Sequence, residues 1–140
     1  MRRVGIVGSR RRLDKDAVGR LVSTLKASDV VVSGGCRGID RWSIEFAEAR
    51  HLSHHEHLPV ISPGMSRDEI VQAYYTRNRR LANDVDLLYA FVSQDRTGGT
   101  ENTIGYAKEF GCPVIIVPEA AETETLNAPK KRRKLRRKTT

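Results

Sequence analysis

Two cysteines in 140 residues, Cys36 and Cys112, leave little scope for covalent cross-linking. A lone pair in a chain without secretory features reads as two small packing residues rather than a disulfide. No apolar run approaches the roughly 18 residues that a membrane crossing needs. The opening Met1-Arg2-Arg3-Val4-Gly5-Ile6-Val7-Gly8 has a basic flank, but its apolar stretch is short, broken by glycine and followed by no small-residue cleavage site. It therefore reads as a strand and not as a signal peptide, and the expectation is a cytoplasmic chain with no membrane partner. Two phosphate-binding signatures are also missing. Neither G-x-G-x-x-G nor G-x-x-x-x-G-K-[ST] occurs, which argues against an ordinary NAD site and against a P-loop.

A net charge of +8 is present, but it is unevenly placed: Lys130, Lys131, Arg132, Arg133, Lys134, Arg136, Arg137 and Lys138 crowd one end. Setting those eight aside leaves 17 of the 25 Lys and Arg, against 17 acidic residues. The basicity belongs to a tail and not to the body of the chain. Such a run contacts phosphate backbones non-specifically through counterion release, and it has no aromatic residue on which bases would stack. A solubilising tail and a targeting signal are the other readings of the same run. From Glu119 onward the composition cannot bury enough apolar surface to offset ordering entropy, so residues 119–140 read as a disordered acidic linker and basic tail behind one domain over 1–118.

Within that domain, apolar runs alternate with helical patterns, the arrangement of a mainly parallel sheet with helices on both faces. The expected fold class is α/β, a Rossmann-like doubly wound sheet of about five strands. Strands are expected near 3–8, 30–33, 57–61, 86–92 and 113–117, and helices near 14–27, 39–51, 67–83 and 101–110, with Asp14 and Ser66 as N-caps. Val30-Val31-Val32 and Val114-Ile115-Ile116-Val117 read as central strands buried on both faces.

Three glycine loops directly follow expected strands: Gly8-Ser9-Arg10, Gly34-Gly35-Cys36-Arg37-Gly38 and Thr97-Gly98-Gly99-Thr100. Parallel strands deliver all three to one edge of the sheet. There glycine permits close backbone approach, and the following helix presents unpaired N–H groups and the positive end of its dipole to an anion. Any one loop is equally well a tight turn; three converging loops point to a ligand crevice.

These residues also resemble a known family. Ser33-Gly34-Gly35-Cys36-Arg37-Gly38-Ile39-Asp40 resembles the S-G-G-A-R-G-I-D signature of the DNA-processing protein A group. Arg77-Asn78-Arg79 with Leu81-Ala82 is similar to that group's R-N-R-x-x-A, and Gly99-Thr100-Glu101-Asn102-Thr103-Ile104 with Ala107 and Gly111-Cys112-Pro113-Val114 extends the likeness. The chain thus resembles the SLOG superfamily, which unites those proteins with the Lonely Guy phosphoribohydrolases and small stand-alone nucleotide-binding proteins. The resemblance implies a nucleotide-derived ligand contacted by Gly8, Ser9, Arg10, Gly34, Gly35, Arg37, Gly98, Gly99 and Thr100, with Arg77 and Asn78 added from the R-N-R segment. The Lonely Guy pattern P-G-G-x-G-T-x-x-E carries a glutamate for N-glycosidic cleavage. Aligned on Gly99-Thr100, that position is Thr103, and the acid of this chain, Glu101, stands two residues earlier, about 200° around a helix. Glu101 is therefore the one catalytic candidate, with a first-turn dipole partner as its plainer role.

Asp40 suits a helix-orienting role, or a hydrogen bond to a ribose hydroxyl. Tyr74 and Tyr75 suit helix packing, with base stacking open to one of them. His51, His54, His55 and His57 match no zinc spacing, so neither metal nor cofactor is expected. Trp42, Ile44 and Phe46 suit either the core or an interface between copies of the chain. The leading functional reading is binding, as sensor or sequestering protein, of a nucleotide or nucleotide-derived phosphorylated ligand. Its rivals are a nucleotide N-glycosidic hydrolase using Glu101 and a DNA-binding accessory protein using the tail.

Overall fold

Continuous Val and Ile runs form the middle of the sheet because β-branched side chains pack well on a pleat covered on both sides. In the computed structural model, which describes residues 1–119, five strands run β1 Arg3–Gly8, β2 Val30–Ser33, β3 Ser53–Glu56, β4 Leu87–Phe91 and β5 Val114–Val117. The helices α1 Lys15–Ser23, α2 Ile39–Ala49, α3 Arg67–Asp84 and α4 Gly99–Glu109 alternate with them. All pairings are parallel and the spatial order is β3-β2-β1-β4-β5. This is the doubly wound order expected, and the reversal of direction between β1 and β4 is its topological switch point. The acidic linker beyond Glu119 and the basic residues 130–138 lie outside the described residues.

Side chains alternating along each strand build two cores. Val4, Ile6, Val31 and Phe91 face α1 and α2, meeting Val18, Val22, Ile39 and Ala47. Val7, Val30, Val32, Leu88 and Ala90 face α3 and α4, meeting Leu81, Ala82, Ile104 and Ala107. Each such Val, Leu, Ile or Phe side chain, fully buried, contributes roughly 1.5–3 kcal/mol relative to leaving it in water. Among the described residues no helix is long and apolar enough to cross a membrane.

Two strands depart from expectation. The third strand is Ser53–Glu56, not 57–61, and Leu58, Val60 and Ile61 lie in an exposed loop. Pro59 has no N–H to give a ladder, and β3 is an edge strand paired only with β2, so its side chains are mostly exposed and polar. Likewise β5 is the opposite edge. Its Ile115 and Ile116 are exposed and not buried on both faces, because apolar continuity reports strand tendency and not position in the sheet.

Helix ends follow local chemistry. Ser66 accepts the Glu69 N–H while Glu69 returns a bond to the Ser66 N–H, a complete capping box. Asp14 precedes α1 but does not cap it; its carboxylate pairs with Arg12 at 2.5 Å. Helix α1 stops at Ser23, short of the expected 27, where Asp29 takes the Lys26 N–H at 2.9 Å and folds the chain toward β2. Gly111, at φ 72°, closes α4 in the left-handed conformation open to glycine.

Candidate functional site

At the switch point the connections leaving β1 and β4 diverge, and the carboxyl ends of the strands open onto a crevice. Arg10, Arg11 and Arg12 follow β1, and their neighbours give them three different tasks. Arg12 is buried and donates to the carbonyls of Val92 at 2.9 Å and Val117 at 2.7 Å, tying off the ends of β4 and β5. Arg11 reaches across to Asp95 at 2.6 Å and Thr97 at 3.2 Å, so the loops after β1 and β4 are joined; this pairing holds the Asp95 carboxyl well below its ordinary range. Arg10 lines the crevice, exposed, with no hydrogen-bond or ion-pair partner among the described residues.

The loop after β2 rests on a buried charged pair. Asp40, in the first turn of α2 and 4% exposed, accepts the Gly8 N–H at 3.1 Å, and the N–H groups of Gly34 and Cys36 also favour its charged form. Burial pushes its carboxyl up to about 6, against the downward pull of Arg77 and of those N–H donors. Arg77, equally buried in α3, donates to the Gly34 carbonyl and to His57 O at 3.4 Å, and its Nε bonds Asn78 Oδ1 at 2.8 Å. The Asn78 amide continues to Gly99 O at 3.4 Å and Asn102 Oδ1 at 3.0 Å. Consecutive residues of α3 thus hold two glycine loops. At Gly34 an added Cβ would stand 2.9 Å from Asp40 Oδ2 and 3.1 Å from Arg77 Nη1, so a side chain there would displace this pair.

Gly8 gives its N–H group to Asp40, and Ser9 N–H goes to Phe91 O at 3.0 Å. Helices α2 and α4 both begin at a glycine N-cap, Gly38 at φ 83° and Gly98 at φ 100°, with no side-chain cap; Gly98, Gly99 and Thr100 at the start of α4 line the crevice, and Glu101 is the acid of its first turn.

The crevice encloses about 510 Å³, within the range of small-ligand sites. It gathers Gly8, Ser9, Arg10 and Gly34 with Gly98, Gly99 and Thr100, and has Arg77 and Asn78 in its wall. It does not include Gly35, Arg37 or Glu101. Gly35 is turned toward Leu58, and Arg37 is exposed to solvent. Glu101 is held in a two-point ion pair by Arg96, at 2.6 and 2.9 Å. Thr103, at the position where the resembled enzymes carry their glutamate, is buried and bonds Gly99 O at 3.1 Å.

Sequence reasoning missed Arg11, Cys36, Val71 and Thr97 as lining residues and set Tyr74 and Tyr75 down mainly as packing. The i, i+3, i+4, i+7 spacing of Val71, Tyr74, Tyr75 and Asn78 was the available signal that one face of α3 looks into the crevice.

Away from the crevice, His55, His57 and Asp84 bring ligand-type atoms within 4.8 Å of one another. Both Asp84 oxygens already accept from Arg3, at 2.8 and 2.6 Å, and His57 Nε2 lies 2.8 Å from Oδ2. The set acts as an ionic tie between β1, α3 and the segment after β3. None of the three residues lines the crevice.

The chain is an α/β protein with a parallel Rossmann-like sheet and a crevice at its switch point. In particular, its fold is that of DNA processing protein A from Streptococcus pneumoniae, whose X-ray structure matches 86% of this chain with a TM-score of 0.71 at 19% sequence identity. The chain spans about half, 52%, of that protein's length. The C-terminal domain of a hydrogenase from Pyrococcus furiosus matches 81% of the chain and 89% of its own at 15% identity, but with a TM-score of 0.47 it carries no argument. No family model matches the sequence, and no curated protein does.

Proposed function

We propose that this chain binds a nucleotide or nucleotide-derived phosphorylated small molecule in the switch-point crevice, and that it senses or sequesters the ligand rather than cleaving it. One observation carries the reading: the start of α4, which no side chain caps, and Arg10, which has no partner among the described residues, line the same 510 Å³ space. An anion there gains N–H donors, dipole and a fork of charged donors together. Binding is favoured over hydrolysis because Glu101 is tied to Arg96 outside the crevice, and Thr103 offers no acid.

The DNA-related reading draws on the fold shared with a DNA processing protein and on the basic residues 130–138. It asks nothing of the crevice, whose donors suit a small anion.

Titration calorimetry of the full chain with adenosine 5′-monophosphate, in enough salt to suppress contacts with the tail, tests the proposal. Arg10→Ala should weaken binding by about tenfold, the loss of one charge-assisted contact, with the melting temperature unchanged. Equal affinity in parent and variant counts against the crevice.

A further inference from the structure

The histidine cluster takes no part in the crevice, and the fold sorts its members by face. Strand β3 pairs with β2 in a register that sets His54 beside Val31 and His55 beside Val32. Val31 faces α1 and α2, and Val32 faces α3 and α4. Alternation along the strand therefore sends His54 toward α2, where Glu48 lies 3.8 Å away, and sends His55 with His57 toward α3. Asp84, the last residue of α3, meets them there. His57 Nε2 lies 2.8 Å from Asp84 Oδ2, and one ligand-type atom from each of the three residues falls within 4.8 Å of the others. The side chains of His57 and Asp84 are 15% and 26% exposed, so the pair is partly shielded from water. His55 is exposed and makes no hydrogen bond or ion pair among the described residues; its ring stands edge-on to that of His57, with centroids 4.6 Å apart. Ion pairing accounts for His57 and Asp84 and leaves His55 without a task.

We propose that His55, His57 and Asp84 form a surface site for a transition-metal dication of the zinc class, held by two imidazole nitrogens and one carboxylate oxygen with a further position open to water. Zn²⁺ holds such ligands at about 2.0–2.2 Å in a tetrahedron, which sets them roughly 3.3 Å apart. His57 and Asp84 already stand near that separation, and rotation of the exposed His55 side chain supplies the rest. The ion takes the place of the proton between His57 Nε2 and Asp84 Oδ2, and that proton passes to solvent. Arg3, which donates to the two Asp84 oxygens at 2.8 and 2.6 Å, stays as the outer partner that orients the carboxylate. Its positive charge opposes the ion, so the expected affinity is micromolar and not that of a closed structural zinc site. Imidazole nitrogen selects this class over Mg²⁺ and Ca²⁺, which take oxygen ligands. No linear zinc spacing announces the site, because its third ligand lies 27 residues from His57 on another element. An ion there fastens the end of β3 to the end of α3, away from the crevice.

The test is calorimetric titration of the full chain with Zn²⁺, and with Mg²⁺ alongside, at neutral pH. Zn²⁺ should bind and, at about a hundredfold over its Kd, raise the melting temperature by about 5 °C or more; Mg²⁺ should do neither. His55→Ala is the decisive variant, because that side chain holds nothing else in the fold. Its metal-free melting temperature should match the parent's, while its Zn²⁺ affinity should fall at least about tenfold, a loss that even the outer partner of a metal ligand causes. His54→Ala, on the opposite face of β3, should leave the affinity unchanged. Equal Zn²⁺ affinity in parent and His55→Ala would place the ion at a thiol or another histidine and overturn the site. No binding at about 100 μM Zn²⁺, or Mg²⁺ binding as tight as Zn²⁺, overturns it as well.

Discussion

Replacing Arg77 with methionine should cost about 3–5 kcal/mol of folding stability at pH 8, the range found when one member of a buried charged set is removed. The side chain is 4% exposed, its donors serve the carbonyls of Gly34 and His57 and the side chain of Asn78, and it supplies the nearby positive charge for Asp40. Methionine fills much of the volume and satisfies none of those acceptors. The loss should also depend on pH, with a sign that follows from Asp40. Its folded carboxyl already titrates at about 6, above its ordinary value of 3.8, so stability is lost as pH rises through that window. Without Arg77 the folded value climbs further, and the loss continues to higher pH. Urea unfolding should therefore show a smaller difference between parent and variant at pH 5 than at pH 8. A difference that does not change with pH would mean that Arg77 acts through packing alone. Arg77→Lys should recover only part of the stability, because one ammonium cannot reproduce the fork that reaches Gly34 O, His57 O, Asn78 Oδ1 and Cys36 Sγ.

Gly8→Ala should be the most damaging one-methyl change in the molecule, at about 1–3 kcal/mol or more. The added Cβ would stand 2.5 Å from Cγ1, 2.6 Å from Cβ and 2.8 Å from Cγ2 of Ile39. Ile39 is fully buried at the start of α2, and its own Cβ is fixed to the backbone, so no rotamer relieves the contact. Helix α2 must move off β1, carrying Asp40 away from the Gly8 N–H. Gly105→Ala is the matched control. That glycine lies within α4 with nothing within 4 Å of an added Cβ, so alanine should be neutral or should stabilise by about 1 kcal/mol. Thermal or urea unfolding of the two variants side by side checks the contrast. Similar losses would show that the close approach of β1 and α2 is not what demands glycine at position 8.

Much of this architecture was legible in the residues because the signals were local and mutually consistent. Three glycine loops after apolar runs, and Ser66 with Glu69 three residues on, each state a backbone requirement that the fold honours. The errors came where identity depends on a neighbour in space. Leu58-Pro59-Val60-Ile61 has the hydrophobicity of a strand, but β2 takes the polar Ser53–Glu56 as its partner, and position at the sheet edge is not written in a single segment. The same ignorance of neighbours placed Val114–Val117 in the middle of the sheet. In the crevice, glycine positions were readable but donor allegiance was not. Nothing in Ser33–Asp40 as a string says that the Asp40 carboxylate takes the Gly8 N–H from the neighbouring strand and sits beside Arg77. Likewise Arg10, Arg11 and Arg12 are identical letters whose roles are set by Asp95, Val92 and the solvent.

The most direct test of the binding site is an amide ¹H–¹⁵N titration of the full chain with adenosine 5′-monophosphate, because it reports the crevice and the basic tail separately. The crevice account predicts saturable shifts at the N–H groups of Arg10, Gly98, Gly99 and Thr100, abolished or strongly weakened in Arg10→Ala. Shifts confined to residues 130–138, or none at any concentration short of non-specific association, would contradict it.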